Sequence, residues 1–170
     1  FQWKQNVTGR QLARVIAISY HETLWSELFP GNQLTMNCMV PAVLGTEDSL
    51  DLAKQHRKHV VYRLDGGSGT DDNLRWLLER GYHVLAKGYS GRRAHAWAQR
   101  VSRWDPYGTD CWLGTIPSPV DFGRPVRILL RKWLQDDRLK HSYYVTTLSF
   151  KKKKACMDAY NHRGAAEIEQ

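Results

Sequence analysis

The chain has 170 residues, enough for one domain with a real core, and a formal net charge of +8. That balance favours a polyanionic partner such as nucleic acid. No apolar run approaches the length of a membrane span, no signal peptide opens the chain, and Cys38, Cys111 and Cys156 form neither a disulfide framework nor a metal-type spacing. They read as reduced thiols of a cytoplasmic protein. The chain begins at Phe1 in a polar stretch and stops at Gln170 within a helical pattern, so both ends are expected to be cuts in a longer protein.

The first apolar run, residues 12–20, suits a strand. His21-Glu22-Thr23 reads as a turn, residues 24–29 as a second strand, and Pro30-Gly31-Asn32 as its end. Together they predict an antiparallel hairpin. Residues 37–59 carry a weaker pattern, with a helix expected over residues 49–54. Glu47, Asp48 and Asp51 would then lie at its start and favour its dipole.

Residues 60–64, Val-Val-Tyr-Arg-Leu, are short, apolar and rich in β-branched side chains, as in a buried strand. The run ends in Asp65, followed by Gly66-Gly67-Ser68-Gly69. Thr70 and Asp71 are good N-cap residues, Leu74, Leu77 and Leu78 recur at helical spacing, and Gly81 suits the residue just past a helix end. Residues 82–88 give the next strand. Strand, carboxylate, glycine turn, helix and strand make a βαβ unit, and such sheets hold ligands at the carboxyl ends of their strands. Asp65 is therefore a candidate ligand for a metal ion or for a group beside a phosphate. It is equally a candidate turn or capping residue. A phosphate-cradling glycine loop is a weaker match, because no Gly-Lys-Ser/Thr follows.

Beyond Gly88 comes a basic loop containing Arg92 and Arg93, then a short helix expected over residues 94–103. Turn residues next separate apolar segments at 111–114, 126–130 and 143–148, which predicts an inserted antiparallel β subdomain. Trp104, Trp112 and Trp133 are expected in its core. Lys151-Lys152-Lys153-Lys154 reads either as a solvated loop or as a phosphate-contacting patch. The last element, residues 155–170, is expected to be helical, with Tyr160, Arg163 and Glu167 on one face, where Arg163 and Glu167 by themselves read as an ordinary surface ion pair.

Tyr160-x2-Arg163-x3-Glu167 resembles the Tyr-x2-Arg-x3-Glu signature of DDE transposases from bacterial insertion sequences. The resemblance extends to the Asp65 strand, to the Asn73-Leu74 pair in the following helix, to Gly81-Tyr82-His83-Val84, and to Leu28-Phe29-Pro30-Gly31-Asn32 at the hairpin end. It covers roughly residues 9–169. It implies an α/β, ribonuclease-H-like fold: a mixed sheet with flanking helices and an inserted antiparallel β subdomain. On that scheme residues 1–88 and 151–170 make the catalytic core and residues 89–150 the inserted subdomain.

The resemblance also implies a carboxylate site for two divalent cations, Mg²⁺ or Mn²⁺, which cuts DNA and joins the freed 3′-hydroxyl to a target. Hard cations take oxygen ligands, and a pair of them clamps the attacking and leaving oxygens at phosphorus. Asp65 and Glu167 would be the catalytic metal ligands; Glu169 is off the signature spacing. Tyr160 and Arg163 would contact the DNA near the cut, with Lys87, Arg92, Arg93, Lys151, Lys152 and Lys153 on its backbone. Transposon ends and target DNA are the implied partners, a homodimer the usual working form, and the bacterial cytoplasm and nucleoid the location. One departure stands out. The family's first Asp lies on a strand before the hairpin, and nothing acidic precedes the hairpin here; Glu22 falls in its turn. A DNA-binding remnant without chemistry is thus the alternative. A hydrolase using Asp65 and Glu167 as an acid and base is the third reading.

Overall fold

In the computed structural model, residues 9–162 are described. The chain divides into two compact units, one up to Leu52 and one from Ala53 on. In the first, β1 (Arg10–Ala17) and β2 (Glu22–Pro30) pair antiparallel around a turn in which His21 takes φ +56°. The hairpin is present as expected. It is a two-stranded sheet of its own, not part of the larger sheet. Helix α1 (Thr35–Ser49) packs on it: a Cβ at Gly45 would fall within 2.1 Å of the Trp25 indole nitrogen.

The helix expected over residues 49–54 is displaced toward the N-terminus. Leu52 N–H bonds back to the Glu47 carbonyl (2.9 Å) and Asp51 turns left-handed at φ +45°, a Schellman-type stop. Glu47 and Asp48 therefore end a helix rather than start one, and Glu47 is buried. Pro41 inside α1 removes one backbone donor, which masked the helix in the residue pattern.

The second unit is an α/β fold on a six-stranded mixed sheet, in the order β3-β4-β8-β7-β6-β5. The strands are β3 (Val61–Leu64), β4 (His83–Lys87), β5 (Asp105–Pro106), β6 (Cys111–Pro117), β7 (Arg127–Gln135) and β8 (Arg138–Thr146). Only β3 and β4 run parallel, joined by α2 (Asp71–Glu79) as the βαβ pattern requires. The Thr70 hydroxyl caps α2 by accepting from Asn73 N–H (3.3 Å), and Gly81 leaves it at φ +94°. Ser90 caps α3 (Gly91–Ala98) by accepting from Arg93 N–H (3.2 Å). Asp136 and Asp137, at φ +48° and +55°, make the two-residue turn between β7 and β8.

The strands expected as a separate subdomain extend this same sheet. β8 lies along β4, with Leu85 opposite Thr146 and Lys87 opposite Tyr144. The reason is burial: Ser142 to Thr146 are buried without interruption, which suits an interior strand with neighbours on both sides, not the edge of an insert. The sheet is covered on both faces. On one, Leu85, Leu113, Leu129 and Tyr144 meet Cys156, Met157 and Tyr160 of α4 (Lys153–Asn161). On the other, Tyr143 receives Trp97 of α3 edge-on at 4.7 Å between ring centroids. Each fully buried Leu or Met contributes about 1.5–3 kcal/mol. No helix among the described residues is long and apolar enough to cross a membrane.

Candidate carboxylate site and nucleic-acid interface

Asp65 follows directly on β3 and holds its own loop. Its Oδ1 accepts from Gly67 N–H (3.0 Å) and Ser68 N–H (3.1 Å), and its carbonyl accepts from Gly69 N–H (2.9 Å). This is an Asx turn, so the capping role is real. It engages one carboxylate oxygen; Oδ2 accepts from no described residue.

The glycines after Asp65 do different jobs. A Cβ on Gly69 would lie 2.0 Å from the Lys87 carbonyl oxygen, so this glycine lets the loop pass over the end of β4. A Cβ on Gly66 would meet nothing closer than 3.5 Å, with Lys87 Cδ at 4.0 Å. The Lys87 stem thus runs beside the Asp65 loop. Its ammonium has no hydrogen bond or ion pair with a described residue, which leaves it available to an anion.

Two residues before Asp65, the Arg63 guanidinium donates to the Ala159 carbonyl of α4 at 2.7 Å. Strand alternation places Arg63 on the face that α4 covers, because its neighbour Leu85 is in that core. The C-terminal end of α4 therefore rests beside β3. Near that end, Tyr107 Oη donates to Asp158 Oδ1 (2.8 Å) and accepts from Asn161 Nδ2 (2.9 Å). Burial, then the Asp158 carboxylate, raises the Tyr107 pKa. Residue spacing carried no hint of this trio.

Tyr160 does not reach outward as a DNA contact would. It is 7% exposed and its ring packs on Tyr144 at 4.7 Å. It belongs to the stripe Cys156-Met157-Tyr160, and the core claims it. Arg163 and Glu167 lie outside the described residues.

The basic residues separate into two groups. Arg93 is a structural cation: its Nη1 reaches Asp71 Oδ1 at 2.7 Å and Oδ2 at 2.9 Å, and its guanidinium lies over the rings of Tyr89 and Trp97. The bond to Asp71 raises its pKa further. Lys153 is likewise engaged, with Asp105 Oδ2 at 3.1 Å and the Arg103 carbonyl at 3.2 Å; Lys153 is the largest cause lowering the Asp105 pKa. Arg92, Lys151 and Lys152 are exposed and unpaired among the described residues. Lys151 and Lys152, with Arg127, edge a cavity of about 470 Å³ whose floor includes Leu129, Leu148 and Phe150. The cavity lies at the N-terminal end of α4, opposite the end that meets Arg63.

The tryptophans expected in a core are only partly buried. Lys132 Nζ sits over Trp104 (4.3 Å) and Trp112 (5.4 Å), and Arg131 over Trp133 (4.8 Å). Such stacks hold cation and ring against each other. Cys38, Cys111 and Cys156 are free and buried, and burial pushes the Cys156 thiol up to about 11.

The Arg93–Asp71 pair joins the N-terminal turns of α2 and α3. Arg93→Met is expected to cost about 2 kcal/mol, because Asp71 would be left partly buried and unpaired. A urea melt checks this, and DNA affinity should stay unchanged.

Among the described residues, no three His, Cys, Asp or Glu side chains gather as a metal cage. Asp65 supplies one available oxygen there, which by itself does not make a two-ion site. No family model and no curated protein matches the chain.

Proposed function

We propose that the chain is the catalytic-domain portion of a DDE transposase with a ribonuclease-H-like fold, acting on DNA during transposition of an insertion sequence. The observation that carries this reading is the Arg63 bond to the Ala159 carbonyl. It sets the helix that opens Tyr160-x2-Arg163-x3-Glu167 against the strand that ends in Asp65. The strand that ends in Asp65 and the helix over residues 153–161 that carries Tyr160, nearly a hundred residues later, are thus joined at one corner of one sheet.

In this reading Asp65 Oδ2 and Glu167 are metal ligands, with Mg²⁺ or Mn²⁺ supplying activation of water and of the 3′-hydroxyl at phosphorus. The chain's own residues bind and orient the strand. Lys87 meets a backbone oxygen beside Asp65, and Lys151 and Lys152 meet the backbone at the far end of α4. A nine-residue helix is about 13 Å long, or roughly four nucleotides of one strand. The Asx turn keeps the Asp65 loop rigid without a ligand.

The test is Mn²⁺-supported nicking of supercoiled plasmid by the chain, run beside fluorescence anisotropy with a labelled duplex. Nicking that depends on Asp65 supports the reading. Tight binding with no nicking supports the second reading, a DNA-binding remnant. Weak, salt-insensitive binding removes both. Lys87→Ala together with Lys152→Ala should lower affinity about tenfold at 100 mM salt and flatten the log–log salt slope by about two. An unchanged slope would take these lysines off the DNA.

A further inference from the structure

We propose that His95 of α3 and His141 of β8 form a binding site for a transition-metal dication, Zn²⁺ being the natural case, that ties the helix to the sheet. Their Nδ1 atoms are 3.4 Å apart, across 46 residues of sequence. Two nitrogens bound to a tetrahedral zinc ion at about 2.0–2.1 Å lie about 3.4 Å from each other, so the observed spacing already equals the liganded one. The rings meet edge to face, with 79° between planes and 5.0 Å between centroids. A metal entering between the nitrogens asks for small ring rotations and no backbone movement.

Without metal, one Nδ1–H donates to the bare Nδ1 of the other ring. Metal binding needs both Nδ1 atoms bare, which imidazole achieves by carrying its proton on Nε2. Lys132 is the cross-strand neighbour of His141, and its charge would oppose a dication. Its ammonium is drawn over Trp104 and Trp112.

His95 is exposed and His141 half-buried, so an ion has access from solvent. No third protein ligand of the usual kinds joins them among the described residues, and water completes the shell. The donors are imidazole nitrogens, which select Zn²⁺, Ni²⁺ or Cu²⁺ and not Mg²⁺. This site therefore stands apart from the carboxylate site and does not depend on the DNA reading.

The experiment is calorimetric titration of Zn²⁺ into the chain at pH 7.5, with thermal melts in parallel. The wild-type chain should take up one ion that raises the melting temperature. His95→Ala and His141→Gln should each weaken that event at least about tenfold and erase the thermal shift. His56→Ala, in the exposed short helical turn Lys54–His59, should leave it intact. His95 is a solvent-facing helical position where Ala is tolerated, so its variant stays folded and readable. Saturable zinc binding that survives both substitutions, or no heat and no thermal shift in the wild-type chain at millimolar zinc, overturns the site.

Discussion

Asp65→Asn is expected to abolish Mn²⁺-supported nicking, by roughly a thousandfold or more, the scale on which losing one charge-stabilising group acts. DNA affinity should stay within about twofold, because the phosphate-binding lysines dominate it. The substitution is chosen for what it preserves. An Asn carbonyl oxygen still accepts from Gly67 and Ser68 N–H, so the Asx turn survives. What disappears is the charge, and the second oxygen becomes an amide nitrogen that offers no lone pair to a hard cation. Asp65→Ala removes both functions, and its melting temperature should fall as well. A chain that nicks normally as Asp65→Asn, yet melts early as Asp65→Ala, would leave Asp65 with its capping role alone. Glu167→Gln provides the matching test at the other end of the proposed pair.

The elements that could be read from residues are those fixed by local chemistry. Thr70 caps α2 from one position before the helix and Gly81 ends it, both within a few residues of what they control, whereas α3 starts at Gly91 under its Ser90 cap and stops at Ala98, three residues before and five short of the span expected at 94–103. The β7–β8 turn at Asp136-Asp137 is equally local. What escaped is long-range. Nothing near Tyr143 says that β8 will lie on β4, so the β-rich stretch read as an insert instead of the middle of the sheet. Nothing near Arg93 says that Asp71 will claim it, and a basic loop then looks like a phosphate contact. Tyr160 belongs to two helical stripes at once. One runs to Arg163 and Glu167, the other back to Cys156 and Met157. The apolar stripe packs into the sheet core and takes the ring with it. Asp65 was legible as far as its position and its two candidate roles. Arg63 as the link between strand and final helix was not, because the bond spans 96 residues.

Gly69→Ala should destabilise the chain by about 3 kcal/mol or more, a fall in melting temperature on the order of 10 °C. Its Cβ would stand 2.0 Å from the Lys87 carbonyl oxygen and 3.0 Å from the Asp65 carbonyl oxygen. Both obstacles are backbone, so neither can swing aside as a side chain would. Relief requires lifting the loop off the end of β4, which breaks the Gly69 N–H bond to Asp65 and loosens the Asx turn with it. Gly66→Ala is the control three residues away. Its nearest neighbour, the Gly88 carbonyl oxygen, would be at 3.5 Å, an ordinary contact, so the fold should tolerate it. Differential scanning calorimetry of the two variants separates close approach from mere loop flexibility. Equal losses at both positions would mean that the loop needs glycine for its backbone freedom; a loss confined to Gly69 means that the carboxyl ends of β3 and β4 are held at their present separation by the missing side chain. In that case the space around Asp65 open to a phosphate is the side bounded by Gly66 and Lys87, and Gly66→Ala should weaken DNA affinity while leaving the melt unchanged.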